Sequence, residues 1–244
     1  MNAQIRIAAA FEWRRLRRSG SFVGLAFGAM LLAFGLMFTA RPDDMPWRLE
    51  LDNWLVEVST TVWFAVMYPL MMVVLGAQVG ATDIATGAIR LPLLVPGMRR
   101  VMVFGKFIAL TRAAWTLAAL FFVAGCVTIF VHAGMGTLQE PMNTLKQLAR
   151  VMVLGVLAST AWWTLVLYLA IRLRSATAAG GVAFLLLLLG WIARGHFGAL
   201  TERRWPGWWG VAVAEHVVVL VPAALTVVAL LWSAQRAMRS LEVR

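Results

Sequence analysis

The sequence predicts an all-α membrane protein with six transmembrane helices and an N-terminal helix that lies at the membrane interface. Hydrophobic residues make up 61% of the 244 residues and charged residues only 14%, with a mean hydropathy of +0.80. A soluble domain of this length could not keep so apolar a chain dispersed in water. Six apolar runs are each long enough to cross a hydrocarbon core about 30 Å thick. The bilayer is therefore the expected solvent.

The six predicted spans are joined by short loops, so the whole chain, 1–244, is expected to form one membrane domain. The spans lie at Ser21–Ala40, Val58–Gly80, Phe107–Val131, Val151–Ile171, Ala176–Ala193 and Val211–Trp232. The corresponding divisions are an interfacial segment at 1–20, two spans within 21–80, a loop at 81–106, four spans within 107–232 and a tail at 233–244. Arg112 in the third span would have to reach back to the surface or line a polar cavity.

The basic residues predict the orientation. Fifteen of the 22 Lys and Arg residues fall on the side of the N-terminus, and cytoplasmic segments are enriched in these residues. We therefore expect both termini to be cytoplasmic, in a bacterial inner membrane. The net charge of +11 is expected to attract the chain to anionic membrane lipids. No basic face is left over for binding nucleic acid.

The N-terminal segment Ile5–Arg18 mixes apolar residues with arginines and is followed by a turn at Ser19-Gly20. This pattern is typical of an amphipathic helix in the inner interface. The helix either serves as a plain positive-inside anchor or transmits motion to the spans. No removable signal peptide is expected here, because no small-residue cleavage site follows.

Small residues indicate places where helices can approach closely. Gly20, Gly24 and Gly28 recur every four residues on one face of the first span, and Gly180 lies near the start of the fifth. Such patterns support close helix packing, either within the chain or in a dimer.

The loop Ala81–Lys106 carries the most specific pattern in the sequence. It reads ATDIATGAIRLPLLVPGMRRVMVFGK, with an acid, a glycine, leucines, a proline and paired arginines in that order. It resembles the corresponding loop of ABC type-2 exporter permeases. The matching positions are Asp83, Gly87, Arg90, Leu93, Leu94, Pro96, Arg99, Arg100 and Lys106. Asp83 stands where that family more often has Glu, and Pro92 is an additional proline; an ordinary basic loop is the alternative interpretation.

The resemblance implies a function for this loop. In that family it forms a coupling helix that docks onto a cytoplasmic ABC ATPase subunit, here roughly Asp83–Arg100, and the permease pairs with itself or with a sister permease. No G-x-x-x-x-G-K-[ST] phosphate loop occurs in the sequence. ATP and Mg are therefore expected on the partner, with no cofactor bound by this chain and no enzymatic site of its own.

A second hypothesis is a proton-coupled secondary transporter. It would use Glu215 and His216, the only acid and histidine in the last predicted span, because ionisable groups in hydrocarbon are costly. Glu215 could instead pair with an arginine such as Arg204. The outer segment before this span contains Trp205 and Trp208, which fit an interfacial aromatic belt or a substrate gate.

Metal and nucleophile chemistry find little support in the sequence. The three histidines are scattered, and Cys126 is the only cysteine. No metal site is predicted, and a membrane-embedded enzyme is the weakest of the three functional hypotheses.

Overall fold

A computed structural model describes residues 2–38, 63–64, 66–85, 98–134, 140–200 and 217–239. All of the regular structure in these ranges is helical. The helices are α1 (Asn2–Arg17), α2 (Gly20–Phe38), α3 (Tyr68–Ala85), α4 (Met98–Gly134), α5 (Pro141–Leu173), α6 (Ala176–Leu200) and α7 (Val217–Arg239). The predicted all-α class is confirmed for this part of the chain.

The helices α2 to α7 fall on the six apolar runs in order. Two of them, α4 with 37 residues and α5 with 33, are long and apolar enough to cross a membrane. The helix α4 begins at Met98, nine residues before the predicted span, and Arg112 lies exposed on its surface. The side chain of Arg112 therefore lies on the outside of the helix and not in the protein core.

The predicted turn between the interfacial segment and the first span is present at Ser19. Its hydroxyl donates to the Leu16 carbonyl at 2.7 Å and accepts the backbone N–H of Phe22 at 3.2 Å. One serine therefore satisfies a carbonyl at the end of α1 and an N–H at the start of α2, groups that helix ends leave unpaired.

A two-residue connection joins α5 to α6. Arg174 takes a left-handed conformation with φ of 57°, and its N–H reaches the Ala170 carbonyl at 3.1 Å. Ser175 then accepts the backbone N–H of Ala178 on its hydroxyl at 3.2 Å. The left-handed residue ends α5 and the serine caps α6, which sets the two helices side by side.

The core lies around α4, which packs against α1, α2, α3, α5 and α7. Stacked aromatic rings join α4 to its neighbours. Trp63, in a π-helical turn that precedes α3, stacks on Phe121 with ring centroids 4.3 Å apart. Phe107 stacks on Trp163 of α5 at 5.2 Å. These large rings, three of them fully buried and Phe107 partly buried, fix the positions of α3, α4 and α5 relative to one another.

Glycines bring α3 and α5 into close contact. A Cβ atom on Gly80 would lie 2.4 Å from the Ala170 Cβ, and one on Gly76 would lie 2.9 Å from a Val166 methyl. The glycines predicted to mediate packing behave differently. Nothing in the described part of the chain lies within 4 Å of a Cβ on Gly20, Gly24 or Gly28, and one on Gly180 would make an ordinary 3.9 Å contact with Ala77.

We expect Gly80→Ala to destabilise the protein by about 1–3 kcal/mol, because the added methyl forces α3 and α5 apart. The measurement is thermal or denaturant unfolding of the purified protein in detergent, followed by tryptophan fluorescence. Gly24→Ala is the matched control. It adds the same methyl in open space and should be neutral or stabilising by up to about 1 kcal/mol through helix propensity. Equal effects of the two substitutions would contradict the close packing at Gly80.

Candidate functional site

The side chain of Lys106 is completely buried between three helices. Its ammonium donates to Oε1 of Glu12 on α1 at 3.0 Å, to Oδ2 of Asp83 on α3 at 2.5 Å and to the carbonyl oxygen of Val79 at 2.7 Å. A lysine ammonium has three donors, and all three are used here. An uncompensated charge at a fully buried position would be prohibitively costly, so these three acceptors are what allow Lys106 to stay inside.

Arg15 is the fourth charged residue at this site, and it is the most exposed of the four. Its Nη1 donates to Oδ1 of Asp83 and lies 3.8 Å from Oε2 of Glu12. We call Glu12, Arg15, Asp83 and Lys106 the ion cluster. It holds two acids and two bases, so its formal charges cancel.

The backbone geometry of α1 and α4 permits these contacts. Glu12 and Arg15 are three residues apart and therefore share one face of α1. Gly105 of α4 lets α1 approach, because a Cβ there would lie 2.9 Å from the Ala8 Cβ. The glycine next to Lys106 thus brings the acid of α1 within reach of the ammonium.

The electrostatics of Glu12 reflect its burial. Burial raises the pKa of Glu12 above its ordinary value, although the Lys106 ammonium acts in the opposite direction. The carboxylate is held in an environment that disfavours its charge, and the neighbouring cation is what offsets this. Glu12 therefore depends on Lys106 as much as Lys106 depends on Glu12.

The ion cluster joins α3 and α4, the two helices on either side of residues 86–97, to each other and to α1. Asp83 lies two residues before the end of α3, and Lys106 lies eight residues after the start of α4. At 1.5 Å per residue, the segment Met98–Gly105 extends about 12 Å beyond the cluster toward the loop. The first two turns of α4, Met98–Gly105, therefore extend beyond the cluster, and the cluster joins their base to α1 and α3.

The structure places the predicted loop residues in three ways. Asp83 belongs to the ion cluster. Arg99 and Arg100 lie in the first turn of α4, with Arg100 exposed. The remaining predicted loop positions lie outside the described residues, and they are Gly87, Arg90, Leu93, Leu94 and Pro96.

The candidates for a substrate path also fall outside the described residues. These are Glu215, His216, Trp205 and Trp208. Within the described ranges, no group of three or more His, Cys, Asp or Glu side chains could hold a metal ion.

Sequence reasoning did not single out Glu12 or Arg15. A signal was nevertheless present, because Glu12 is the only acid among the first 42 residues, in a segment rich in arginine. Lys106 was noted only as the last position of the loop motif. It is one of two lysines in the chain, and it lies at the start of a long apolar run, where an ion-pair partner is needed.

Comparison with known proteins adds no identification: no family model matches the chain, and no curated protein matches it.

We expect Lys106→Met to lower the free energy of unfolding by about 3–5 kcal/mol, because it leaves two buried carboxylates with one half-exposed arginine between them. Adding Glu12→Gln should restore part of this loss, since Asp83 keeps Arg15 as its partner. Denaturant unfolding in mixed micelles measures both effects.

The control is Lys146→Met, which alters the other lysine at an exposed position on α5. It should change stability by less than about 0.5 kcal/mol. If the double variant were no more stable than Lys106→Met alone, the coupling between Glu12 and Lys106 would be refuted.

Proposed function

We propose that this chain is the membrane-spanning permease subunit of an ATP-driven exporter of the ABC type-2 kind. It has six spans and cytoplasmic termini in a bacterial inner membrane, and it moves its substrate when a separate ATPase subunit drives the loop at 86–97. The observation that carries the proposal is the ion cluster, which ties the interfacial helix α1 to both helices that flank this loop.

The exposed surface of the bundle supports the membrane location. Large apolar side chains are exposed at helical spacings on α2, α4, α6 and α7, and a lipid phase would cover these surfaces. They include Val23, Phe27, Val123, Val127, Phe130, Leu185, Leu189, Leu225, Val228 and Trp232. The excess of basic residues on the N-terminal side supports the inward orientation.

The ion cluster supports the mechanical part of the proposal. A force applied to the loop at 86–97 acts on the first turns of α4, and a loosely attached loop would absorb it by bending. Here the base of that segment is fixed to α1 and α3 by the fully buried ammonium of Lys106, and electrostatic interactions are stronger at a buried position than at the surface. A push on the loop would therefore move α1, α3 and α4 together.

The energy source belongs to another subunit. Because the sequence has no P-loop, ATP and Mg would be bound by the partner, and the chain itself needs no enzymatic site. Arg99 and Arg100, in the first turn of α4, lie next to the loop that would dock onto that partner. The proton-coupled alternative depends on Glu215 and His216 and rests on the sequence alone.

Affinity purification from the native membrane should recover a P-loop ATPase in stoichiometric amounts with this chain, and vesicles containing both should hydrolyse ATP when export occurs. Arg100→Gln should weaken binding of the ATPase about tenfold, because it removes one charged contact of the docking surface worth roughly 1.4 kcal/mol. Pro96→Ala and Arg99→Gln should also reduce coupling between ATP hydrolysis and export.

The matched control is Arg150→Gln, which removes an exposed arginine from α5, on the side proposed to be periplasmic. It should leave ATPase binding unchanged. Full export by the purified chain without any ATPase, driven by a proton gradient and abolished by Glu215→Gln, would replace this proposal with the secondary-transport alternative.

A further inference from the structure

A polar pocket opens between α1, the turn at Ser19 and α3, beside the ion cluster. It has a volume of about 240 Å³, and its polar lining comes from Glu12, Arg15, Ser19, Gln78 and Thr82. The pocket therefore presents a carboxylate, a guanidinium, hydroxyls and an amide to one small space.

Arg15 keeps donors available for a ligand in this pocket. Its contacts to Asp83 and Glu12 both use Nη1, and its side chain is 35% exposed. A guanidinium has five N–H donors in a planar fork that suits bidentate binding of phosphate. In the described part of the chain, Nε and Nη2 are directed to no other hydrogen-bond partner, so they can bind an anionic oxygen.

Gln78 and Glu12 supply acceptors on the same pocket. The Gln78 amide nitrogen donates to the Ser21 hydroxyl at 2.7 Å, which fixes the orientation of the amide and leaves its carbonyl oxygen as an acceptor. Glu12 contributes carboxylate oxygens that already bind a cation, Lys106, at 3.0 Å. The pocket can therefore receive an N–H donor as well as an anion.

The position of α1 brings this pocket to the level of the lipid head groups. Ile7 is 70% exposed and Phe11 is 64% exposed on α1, while Arg14 and Arg17 are exposed in its last turn and Arg18 is exposed directly after it. A helix with exposed apolar and basic residues of this kind lies in the interfacial plane. Phospholipid phosphates are found at the same depth.

We propose that the pocket binds the head group of a phospholipid that carries a primary ammonium, as in phosphatidylethanolamine. The phosphate oxygens accept from Nε and Nη2 of Arg15, and the ammonium donates to Gln78 and Glu12. The charged residues that line the pocket are one acid, Glu12, and one base, Arg15, so a zwitterionic head group matches it better than an anionic one. This inference rests on the membrane location within the proposed function, and it does not depend on the ATPase.

The test is retention of lipid by the purified chain. The protein is reconstituted in nanodiscs with equal amounts of phosphatidylethanolamine, phosphatidylcholine and phosphatidylglycerol, then released into detergent for native mass spectrometry. Phosphatidylethanolamine should be retained about tenfold over phosphatidylcholine, which has the same phosphate but no N–H donor. Inorganic phosphate added in excess should not displace it.

Two substitutions and one control locate the site. Gln78→Leu, which leaves the ion cluster intact, should abolish the preference for phosphatidylethanolamine over phosphatidylcholine, and Arg15→Gln should reduce retention of both lipids. Arg17→Gln removes the same charge from an exposed position of α1 outside the pocket and should change neither.

Several results would overturn the inference. Equal retention of phosphatidylethanolamine and phosphatidylcholine would show that the lipid ammonium makes no contact in the pocket. Displacement by inorganic phosphate would show that the site binds anions in general. Equal effects of Arg17→Gln and Arg15→Gln would show that the lipid is attracted by the overall positive charge of α1 and not by the pocket. In each case the chain would still fractionate with membranes. Release of the chain from membranes by alkaline carbonate would instead refute the membrane location and both proposals together.

Discussion

The packing of α1, α3 and α4 against one another depends on the burial of one ammonium group, that of Lys106. A lysine inside a protein must find acceptors for three donors, and here they come from two other helices. Glu12 and Asp83 are in turn buried acids that need a cation. Because removal of Lys106 leaves two buried carboxylates with only Arg15 between them, the ionic contacts that join α1, α3 and α4 depend on this one ammonium group.

The aromatic core and the ion cluster act on the same helices at different levels. Phe107, the residue after Lys106, stacks on Trp163 of α5, while Trp63 and Phe121 stack about four turns further along α4. The apolar contacts position α4 against α5 and the start of α3. The ionic contacts position α4, at the level of Phe107, against α1 and the end of α3. A displacement of the first turns of α4 is therefore resisted at two separated points, as expected of a stiff rod rather than a hinge.

The apolar runs predicted the helices well, because a lipid-covered helix needs little more than length and hydrophobicity. The turn at Ser19 was also predictable, since serine and glycine followed an arginine-rich amphipathic segment. The ion cluster was not predictable, because Glu12 and Lys106 are 94 residues apart and no local sequence pattern relates one to the other. For the same reason the close contacts at Gly76, Gly80 and Gly105 were missed, while regular spacing drew attention to Gly20, Gly24 and Gly28. Glycine spacing identifies a smooth face, but the opposing helix decides whether that face is used.

The separation between Glu12 and Lys106 also has a consequence for how the chain is made. Synthesis at 5–20 residues per second places Lys106 on the ribosome roughly 5–20 s after Glu12. During that interval α1 has neither its buried cation nor the groove at Gly105, and its carboxylate must stay hydrated. Helix α1 therefore cannot complete its contacts until the beginning of α4 has been synthesised. Only then can the ion cluster join α1, α3 and α4.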